Sequence, residues 1–324
     1  MMSAVEEFTT DLVVRRRETA ADGVVALDLV DPAGGELPAW EPGSHIDLLL
    51  DDGLVRQYSL CGDPREAGTW RIGVLLDPNT RGGSRHVHER LHEGATIRVR
   101  GPRNNFPLVD SPKYLFIAGG IGITPMKAMA ESAERARLDW RMVYLGRTRS
   151  TMAFQQELSD AFGDRVTIWA DDERGGFFDL ATVLAEPVDG TLIYSCGPEP
   201  LLAAVEKACA HWAQGSLHVE RFAATAPSAE ALAEALDTYQ VVCRSSGVTV
   251  EVSGGVPMLD ALEDAGVAIM SSCGEGVCGT CRTTVLEGIP AHCDSLLTEA
   301  ERASGDVILP CVSHSRSEKL VLDL

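Results

Sequence analysis

Four cysteines near the C-terminal end constrain this chain more than any other feature. Cys273, Cys278 and Cys281 follow a C-x4-C-x2-C spacing, and Cys311 follows after 29 intervening residues. Plant-type [2Fe–2S] proteins hold their cluster with four thiolates at this spacing. Glycines in the loop leave room for a cluster, permit positive φ angles and let backbone N–H groups point at sulfur. They are Gly274, Gly276 and Gly279. The pattern therefore predicts a [2Fe–2S] centre in a small C-terminal domain.

The main alternative for these cysteines is a structural zinc site. Zinc sites usually pair two C-x2-C or Cys/His steps, and this segment has one C-x2-C preceded by a C-x4 step. Cys293 is the rival fourth ligand, but it lies too near Cys281 for the expected spacing. The chain has nine cysteines, an odd number and unevenly spread, which is unlike a secreted disulfide framework. We therefore expect a reducing, cytoplasmic environment.

Composition excludes several classes of function. The 324 residues include 28 Lys and Arg against 48 Asp and Glu, a net charge of −20. So acidic a surface argues against binding to nucleic acids and to anionic membranes. No apolar run approaches the length that spans a bilayer, and the first 14 residues do not resemble a secretory signal.

The rhythm of apolar residues changes twice along the chain and predicts three domains. Residues 12–109 carry short alternating runs separated by Gly, Pro and Asp turns, which indicates an antiparallel β-barrel. From residue 113 buried strands alternate with helices, which indicates a doubly wound parallel sheet. After an Ala-rich linker, a β-hairpin and a helix at 258–265 precede the cysteine loop. The predicted domains are 1–109, 110–226 and 227–324, with the linker at about 223–237.

A glycine-rich turn after the predicted strand 114–118 indicates a nucleotide site. It reads GGIGITP over residues 119–125 and opens a predicted helix at 126–137. Such a turn lets the backbone approach a pyrophosphate at a helix N-terminus, with Thr124 expected as the helix cap and Pro125 in the first turn. A second turn, Cys196-Gly197-Pro198, ends the predicted strand 191–195 and precedes another helix. Strand ends are where ligands bind in open α/β sheets, although each turn alone is also compatible with simple packing.

Two motifs in the barrel region indicate a flavin. Residues 56–60 read RQYSL, in which Arg56 can clamp a phosphate and Tyr58 can lie against a flat ring. Residues 81–84 read RGGS and open a helix expected to begin near Arg85, a second phosphate site. The histidines at 86, 88 and 92 suggest a metal site, but a solvated helix face is the simpler interpretation.

With these motifs in this order, the sequence resembles the phthalate dioxygenase reductase family. These are the FMN- and iron–sulfur-containing reductases of Rieske oxygenases, vanillate O-demethylase reductases included. The resemblance runs from the barrel to the closing residues 319–324. It implies a multidomain fold: an antiparallel β-barrel flavin domain, a doubly wound α/β nicotinamide domain and a C-terminal α+β, β-grasp ferredoxin domain. Gln57 and Cys293 depart from the family pattern, which usually has a small hydroxyl residue and an Arg there.

The resemblance also implies roles for individual residues. The flavin would be bound by Arg56, Tyr58, Ser59, Gly83 and Ser84, and from the two motifs themselves we add Gln57, Arg81 and Gly82. The nicotinamide nucleotide would contact Gly120, Thr124, Arg147, Cys196, Gly197 and Pro198, and from the acidic run we add Asp171 as a ribose contact. Ser59, Cys196 and Phe222 would line the hydride-transfer site, with no residue acting as acid or base. The cluster ligands would be Cys273, Cys278, Cys281 and Cys311.

The expected function is transfer of electrons from NADH through FMN and the cluster to a terminal Rieske-type aromatic oxygenase, by a protein expected to be a monomer. An alternative acceptor is a haem-containing (cytochrome P450) monooxygenase, and a third interpretation is an iron–sulfur redox sensor without turnover. No sequence feature excludes FAD. The acidic run Asp171-Asp172-Glu173 favours NADH by repelling a 2′-phosphate, unless it is merely a solvated loop. Arg147 and Arg149 favour NADPH instead.

Overall fold

The computed structural model describes residues 8–50, 53–78, 82–224, 235–253 and 255–324. The chain divides into two compact units, the first ending at Glu220 and the second beginning at Arg221.

The first unit opens with a six-stranded antiparallel sheet. Its strands are β1 (Thr9–Ala21), β2 (Val24–Val30), β3 (Ser44–Leu49), β4 (Val55–Ser59), β5 (Trp70–Leu75) and β6 (Thr96–Asn104), with helix α1 (Gly83–Arg90) between β5 and β6. The strand order is β4-β3-β6-β1-β2-β5. An antiparallel bridge between Leu60 and Ile72 joins the two edges, so the sheet closes on itself. Side chains such as Leu27, Ile46 and Val99 fill its interior.

The second sheet of this unit is parallel. Its strands are β7 (Lys113–Gly119), β8 (Asp139–Gly146), β9 (Val166–Ala170), β10 (Thr191–Cys196) and β11 (Leu217–Glu220). The helices that accompany them are α2 (Ile123–Arg135), α3 (Gln155–Phe162), α4 (Asp171–Arg174), α5 (Leu180–Val183) and α6 (Glu199–Ala208). In the strand order β11-β10-β7-β8-β9 the direction of winding reverses between β7 and β10. That switch point is where open α/β sheets bind ligands.

Barrel and parallel sheet share one hydrophobic core. Val24 and Ala26 of β2 pack in the same cluster as Phe116 of β7 and Met126 of α2. Beside this core, the buried Lys127 donates from Nζ to the Cys61 carbonyl (3.3 Å) and to Glu131 Oε1 (2.7 Å). Helix α2 is therefore fixed to the segment that joins β4 to β5.

Helix α2 begins earlier than the sequence predicts. The chain enters it at Ile123 directly from a 3-10 turn, Gly120–Gly122, so the helix cap is Gly122 without a side-chain bond. The expectation that Thr124 caps the helix was wrong, because its hydroxyl lies inside the first turn and donates to the Ile121 carbonyl (3.0 Å). Pro125 does lie in the first turn, where the absence of an N–H costs nothing.

The second unit is built on a mixed sheet of order β13-β12-β18-β14-β16. Its strands are β12 (Thr238–Cys243), β13 (Thr249–Ser253), β14 (Thr283–Glu287), β16 (Val307–Ile308) and β18 (Lys319–Leu322), and a separate pair is formed by β15 (Pro290–Ala291) and β17 (His314–Ser315). The helices are α7 (Met258–Asp264) and α8 (Glu299–Ser304). Met258 and Leu262 of α7 pack on Val241 and Leu320 of the sheet. A parallel β12–β18 pair with a helix across it is the β-grasp arrangement.

The predicted fold class is confirmed in all three parts. The domain boundaries at 109–110 and 226–227 stay predictions, since the first unit contains both barrel and parallel sheet. Residues 225–234, most of the predicted linker, lie outside the described residues. Within the part of the chain that the structure describes, no helix combines the length and apolarity needed to cross a membrane.

Candidate functional site

The two phosphate-binding elements predicted for the flavin come together at the barrel rim. Arg56 lies on β4, and a Cβ built on Gly83 would fall 2.4 Å from Arg56 Cγ. Gly83 is the first residue of α1, whose cap, Gly82, adopts φ 100° with no side-chain cap and no acidic residue in the first turn. A guanidinium held against a helix N-terminus is well suited to an anion. Arg81 lies outside the described residues.

Neighbouring side chains define the two faces of β4. Tyr58 and Arg56 pair with Ile46 and Leu48 of β3, so they share the face on which those residues point. Tyr58 packs against the barrel core. Ser59 is buried on the opposite face. Ser84 is also buried, and its hydroxyl accepts a hydrogen bond from the Asp77 N–H (3.1 Å), which leaves its own proton available to a ligand.

Gln57 belongs to a network that sequence reasoning missed. Its Nε2 donates to Asp47 Oδ1 (3.0 Å), and the same buried carboxylate receives Arg100 and Arg103 at 2.6 Å each. Burial raises the pKa of Asp47, but the two arginines outweigh it and hold the pKa below its usual range. Beside them, burial lowers the pKa of His45 to about 4. The role predicted for Gln57 in flavin binding therefore stays a prediction, since its amide serves Asp47.

The histidines of the α1 region do not gather, among the described residues, into a metal-binding group. His88 Nε2 bonds to the Val74 carbonyl and His92 Nε2 to the Glu89 carbonyl, both at 3.0 Å. These bonds tie α1 to β5 and to its own C-terminal turn.

The two glycine turns predicted separately for the nicotinamide nucleotide meet at the switch point. Their strands are neighbours, with Cys196 of β10 opposite Ala118 of β7. A Cβ on Gly122 would lie 2.2 Å from the Cys196 carbonyl oxygen, and one on Gly197 would lie 3.0 Å from Gly119 Cα. Only glycine permits this approach. Gly120 is open instead, since its φ is 54° and a Cβ added there would meet no described atom within 4 Å.

Cys196 has an acidic neighbour that the sequence did not reveal. Its Sγ lies 4.0 Å from Glu220 Oε2, because Glu220 of β11 pairs with Cys196. Burial raises the pKa of Glu220 to about 8 and raises that of the Cys196 thiol well above its usual range. At neutral pH both groups are therefore largely uncharged, which suits a site that receives a hydride.

Loops after β8 and β9 bring acidic and basic side chains together. Arg149 forms a two-pronged ion pair with Glu173, and the Asp172 N–H donates to the Arg147 carbonyl (3.1 Å). Asp171, the predicted ribose ligand, is the first residue of α4 and is partly buried, and Arg147 is exposed. Glu173, the last residue of the acidic run predicted to favour NADH, is the acid that reaches the β8 loop.

The predicted cluster cysteines come together in the second unit, three from the loop before β14 and Cys311 from the segment after β16. Cys281 Sγ and Cys311 Sγ lie 3.3 Å apart. Cys273 is hydrogen-bonded to the Cys278 and Cys311 thiols, and these bonds lower its pKa. Backbone N–H groups of Glu275 and Thr280 point at Cys273 Sγ (3.2 Å) and Cys278 Sγ (3.4 Å). Gly274, Gly276 and Gly279 have φ between 66° and 70°. Four sulfurs with N–H groups aimed at them fit a [2Fe–2S] cluster.

Two further residues named from the sequence, Cys293 and Phe222, are not among the four cluster cysteines. Cys293 is buried, its N–H donates to Ser313 Oγ (3.1 Å), and burial raises the pKa of its thiol. All nine cysteines are free thiols. Phe222 follows β11 at the start of the second unit and is 44% exposed, so its predicted place at the flavin stays a prediction.

Comparison with known sequences shows relatives that match the chain over nearly its whole length. Residues 241–316 match the 2Fe-2S iron-sulfur cluster binding domain. The chain is 42% identical over 326 residues to phenoxybenzoate dioxygenase subunit beta of Ectopseudomonas oleovorans, covering 100% of both chains. It is 40% identical to the vanillate O-demethylase oxidoreductase of Pseudomonas putida, covering 97% of this chain and 99% of that one.

Comparison with solved structures points to the same family. An intact type IV self-sufficient cytochrome P450 monooxygenase matches 98% of this chain at 44% identity and a TM-score of 0.91, and this chain spans 41% of it. Phthalate dioxygenase reductase, a modular structure for electron transfer from pyridine nucleotides to [2Fe-2S], matches with a TM-score of 0.72 and 35% identity, covering 98% of both chains. The chain therefore belongs to the phthalate dioxygenase reductase family, oxidoreductases that use a flavin, a nicotinamide nucleotide and a [2Fe–2S] cluster.

Proposed function

We propose that this protein is the NADH-oxidising reductase component of a two-component aromatic oxygenase or O-demethylase of the Rieske type. The observation that carries the proposal is the presence, in one chain, of a glycine-lined crevice between the ends of β7 and β10 and of four thiols brought together in the second unit. Related chains of the same length are components of such oxygenase systems. We further propose that the protein acts as a monomer in the cytoplasm; nine cysteines without a disulfide are consistent with that reducing compartment.

The chain's own residues would position the reactants. Arg56 and the N-terminus of α1 would hold the flavin phosphate, with Tyr58 and Ser59 at the ring. Gly120, Thr124 and the turn from Cys196 to Pro198 would hold the nucleotide, with Phe222 at the flavin. The thiolates of Cys273, Cys278, Cys281 and Cys311 would hold the cluster. When bound, the flavin converts the two electrons of a hydride into single electrons for the cluster.

The flavin is proposed to be FMN. The phosphate-binding elements described above, Arg56 and Gly83, suffice for one phosphate group. Denaturing the purified protein and separating the released flavin tests this proposal directly. Recovery of FAD would contradict it.

NADH is proposed as the preferred nucleotide. The acidic residues after β9 would repel the 2′-phosphate of NADPH. Steady-state kinetics with both nucleotides test this preference, and a higher kcat/KM for NADPH would refute it.

The acceptor has one serious alternative. The 44% identity to part of a self-sufficient cytochrome P450 favours a haem monooxygenase as a second candidate partner. A redox sensor without turnover is disfavoured, because the relatives are oxidoreductase components of oxygenase systems.

Reconstitution decides between the two acceptors. The reductase is mixed with a Rieske oxygenase or with a cytochrome P450 under NADH, and product formed per NADH consumed is measured. We expect a ratio near one with a Rieske partner and uncoupled oxidation with the haem protein. A ratio near one with the cytochrome P450 and uncoupled oxidation with the Rieske oxygenase would instead identify the cytochrome P450 as the acceptor.

A further inference from the structure

One ion pair joins the loops that follow β8 and β9. Arg149 donates from Nε to Glu173 Oε1 (2.7 Å) and from Nη2 to Glu173 Oε2 (2.8 Å). Its remaining nitrogen, Nη1, donates to Gln155 Oε1 (3.0 Å) at the start of α3. All three nitrogens of the guanidinium are thus engaged by oxygen atoms of the protein.

The ion pair lies at the position where sheets of this kind bind the adenine ribose of a dinucleotide. In a doubly wound dinucleotide fold, the 2′ position is contacted from the end of the strand next to the one that carries the glycine turn. Here β7 carries that turn and β8 is its neighbour. Arg149 follows β8, and Glu173 reaches it from the end of the next strand, β9. The Asp172 N–H to Arg147 carbonyl bond holds the two loops together.

A 2′-phosphate would compete with Glu173 for the same donors. The planar fork of an arginine binds a carboxylate or a phosphate in the same two-pronged way, so Arg149 cannot serve both at once. The Glu173 carboxylate would also stand beside the incoming dianion as a like charge. Hydrogen bonds from Arg149 hold the pKa of Glu173 below its usual range, so the carboxylate is charged at neutral pH.

We propose that Glu173 determines nucleotide specificity, by holding Arg149 away from the ribose and by repelling a 2′-phosphate. This inference rests on the proposed preference for NADH and names the residue responsible for it. Both side chains are about two-fifths exposed (41% and 42%), and exposed ion pairs contribute little to stability. Loss of the pair should therefore leave the unfolding midpoint nearly unchanged, so that a change in nucleotide selectivity can be told from a loss of stability.

The test compares Glu173→Gln with Glu186→Gln, which removes the same charge from the exposed segment between α5 and β10. We measure kcat/KM for NADH and NADPH, and the affinity of 2′-phospho-AMP and of AMP by calorimetry. Glu173→Gln should raise kcat/KM for NADPH and tighten 2′-phospho-AMP by roughly tenfold, the scale of one removed like charge. NADH kinetics and AMP affinity should change little, and Glu186→Gln should change neither.

A second variant identifies the cation. Adding Arg149→Ala to Glu173→Gln should remove most of the gain, because the freed guanidinium supplies it and only the loss of the like charge remains. A gain that survives Arg149→Ala in full, or 2′-phospho-AMP binding that Glu173→Gln leaves unchanged, would overturn the inference while NADH preference stands. A wild-type protein that prefers NADPH would instead contradict the proposed function itself.

Discussion

At the scale of single residues, the identity of the fourth sulfur in the cluster loop decides how the iron is held. Cys311 Sγ lies 3.3 Å from Cys281 Sγ, whereas Cys293 is a buried thiol whose pKa burial raises. We expect Cys311→Ser to lose the visible iron–sulfur absorption and most of the bound iron, and Cys293→Ser to keep both. Reduction of the flavin by NADH should survive in each variant. A normal spectrum in Cys311→Ser with a bleached Cys293→Ser would reverse the ligand assignment.

A second residue-scale prediction concerns the pH dependence of stability. Burial raises the pKa of Glu220 from 4.5 to about 8 in the folded state. Below about pH 4.5 the group is protonated in both states, so its burial costs no ionisation energy. As pH rises towards 8 the unfolded state ionises first, and the folded state loses stability relative to it. Above about 8 the loss is complete.

Glu220→Gln removes this penalty. We expect the advantage of the variant in unfolding free energy to grow by up to about 4 kcal/mol between pH 5 and pH 9. All five tryptophans lie before Arg221, so urea unfolding followed by tryptophan fluorescence reports the unit that contains Glu220. A difference that stays constant with pH would show that Glu220 titrates normally.

At the scale of elements, local sequence patterns predicted where strands and helices lie but not which strands are neighbours. Buried apolar runs placed β7 and β10 within one residue of their observed bounds, because most of the side chains of both strands lie in the core. The start of α2 was missed, since a 3-10 turn leads into it without a side-chain cap. The order of strands in the sheets could not be predicted from the sequence either. That order brings Glu220 beside Cys196 and Glu173 beside Arg149, and the residues of each pair are 24 positions apart in sequence.

The close approach of the β7 and β10 turns gives a prediction at this scale. Gly122→Ala places a Cβ against the Cys196 carbonyl, which is backbone and cannot turn aside. We expect the variant to lose about 1–3 kcal/mol of stability, as overpacked sites do, and to show a raised KM for NADH. The control is Gly68→Ala, whose Cβ would meet no described atom within 4 Å. Equal KM values for the two variants would mean that the nucleotide does not bind at this crevice.

At the scale of the whole molecule, the order of the three sequence motifs was enough to recognise the family. Each motif belongs to a piece of backbone structure that is local in sequence. The flavin motif lies on a strand, the nucleotide motif on a glycine turn that leads into a helix, and the cluster motif in a cysteine loop. The barrel and the parallel sheet were expected as separate domains, but their side chains meet in one core, and long-range packing of that kind leaves no local pattern. The roles of individual side chains at the flavin remain predictions for the same reason.

The net charge of −20 predicts how the protein meets its electron acceptors. A strongly acidic protein attracts basic partners and repels anions, and added salt screens both effects within a Debye length of about 10 Å at 0.1 M. We therefore expect NADH-driven reduction of cytochrome c, a basic protein, to slow as ionic strength rises from about 20 to about 300 mM, by roughly tenfold at most. Reduction of ferricyanide, a trianion, should speed up over the same range. Because NADH oxidation and the flavin are common to both assays, a salt effect on these earlier steps would move the two rates in the same direction. Opposite responses would therefore locate the charge effect at the encounter with the acceptor, and parallel responses would contradict it.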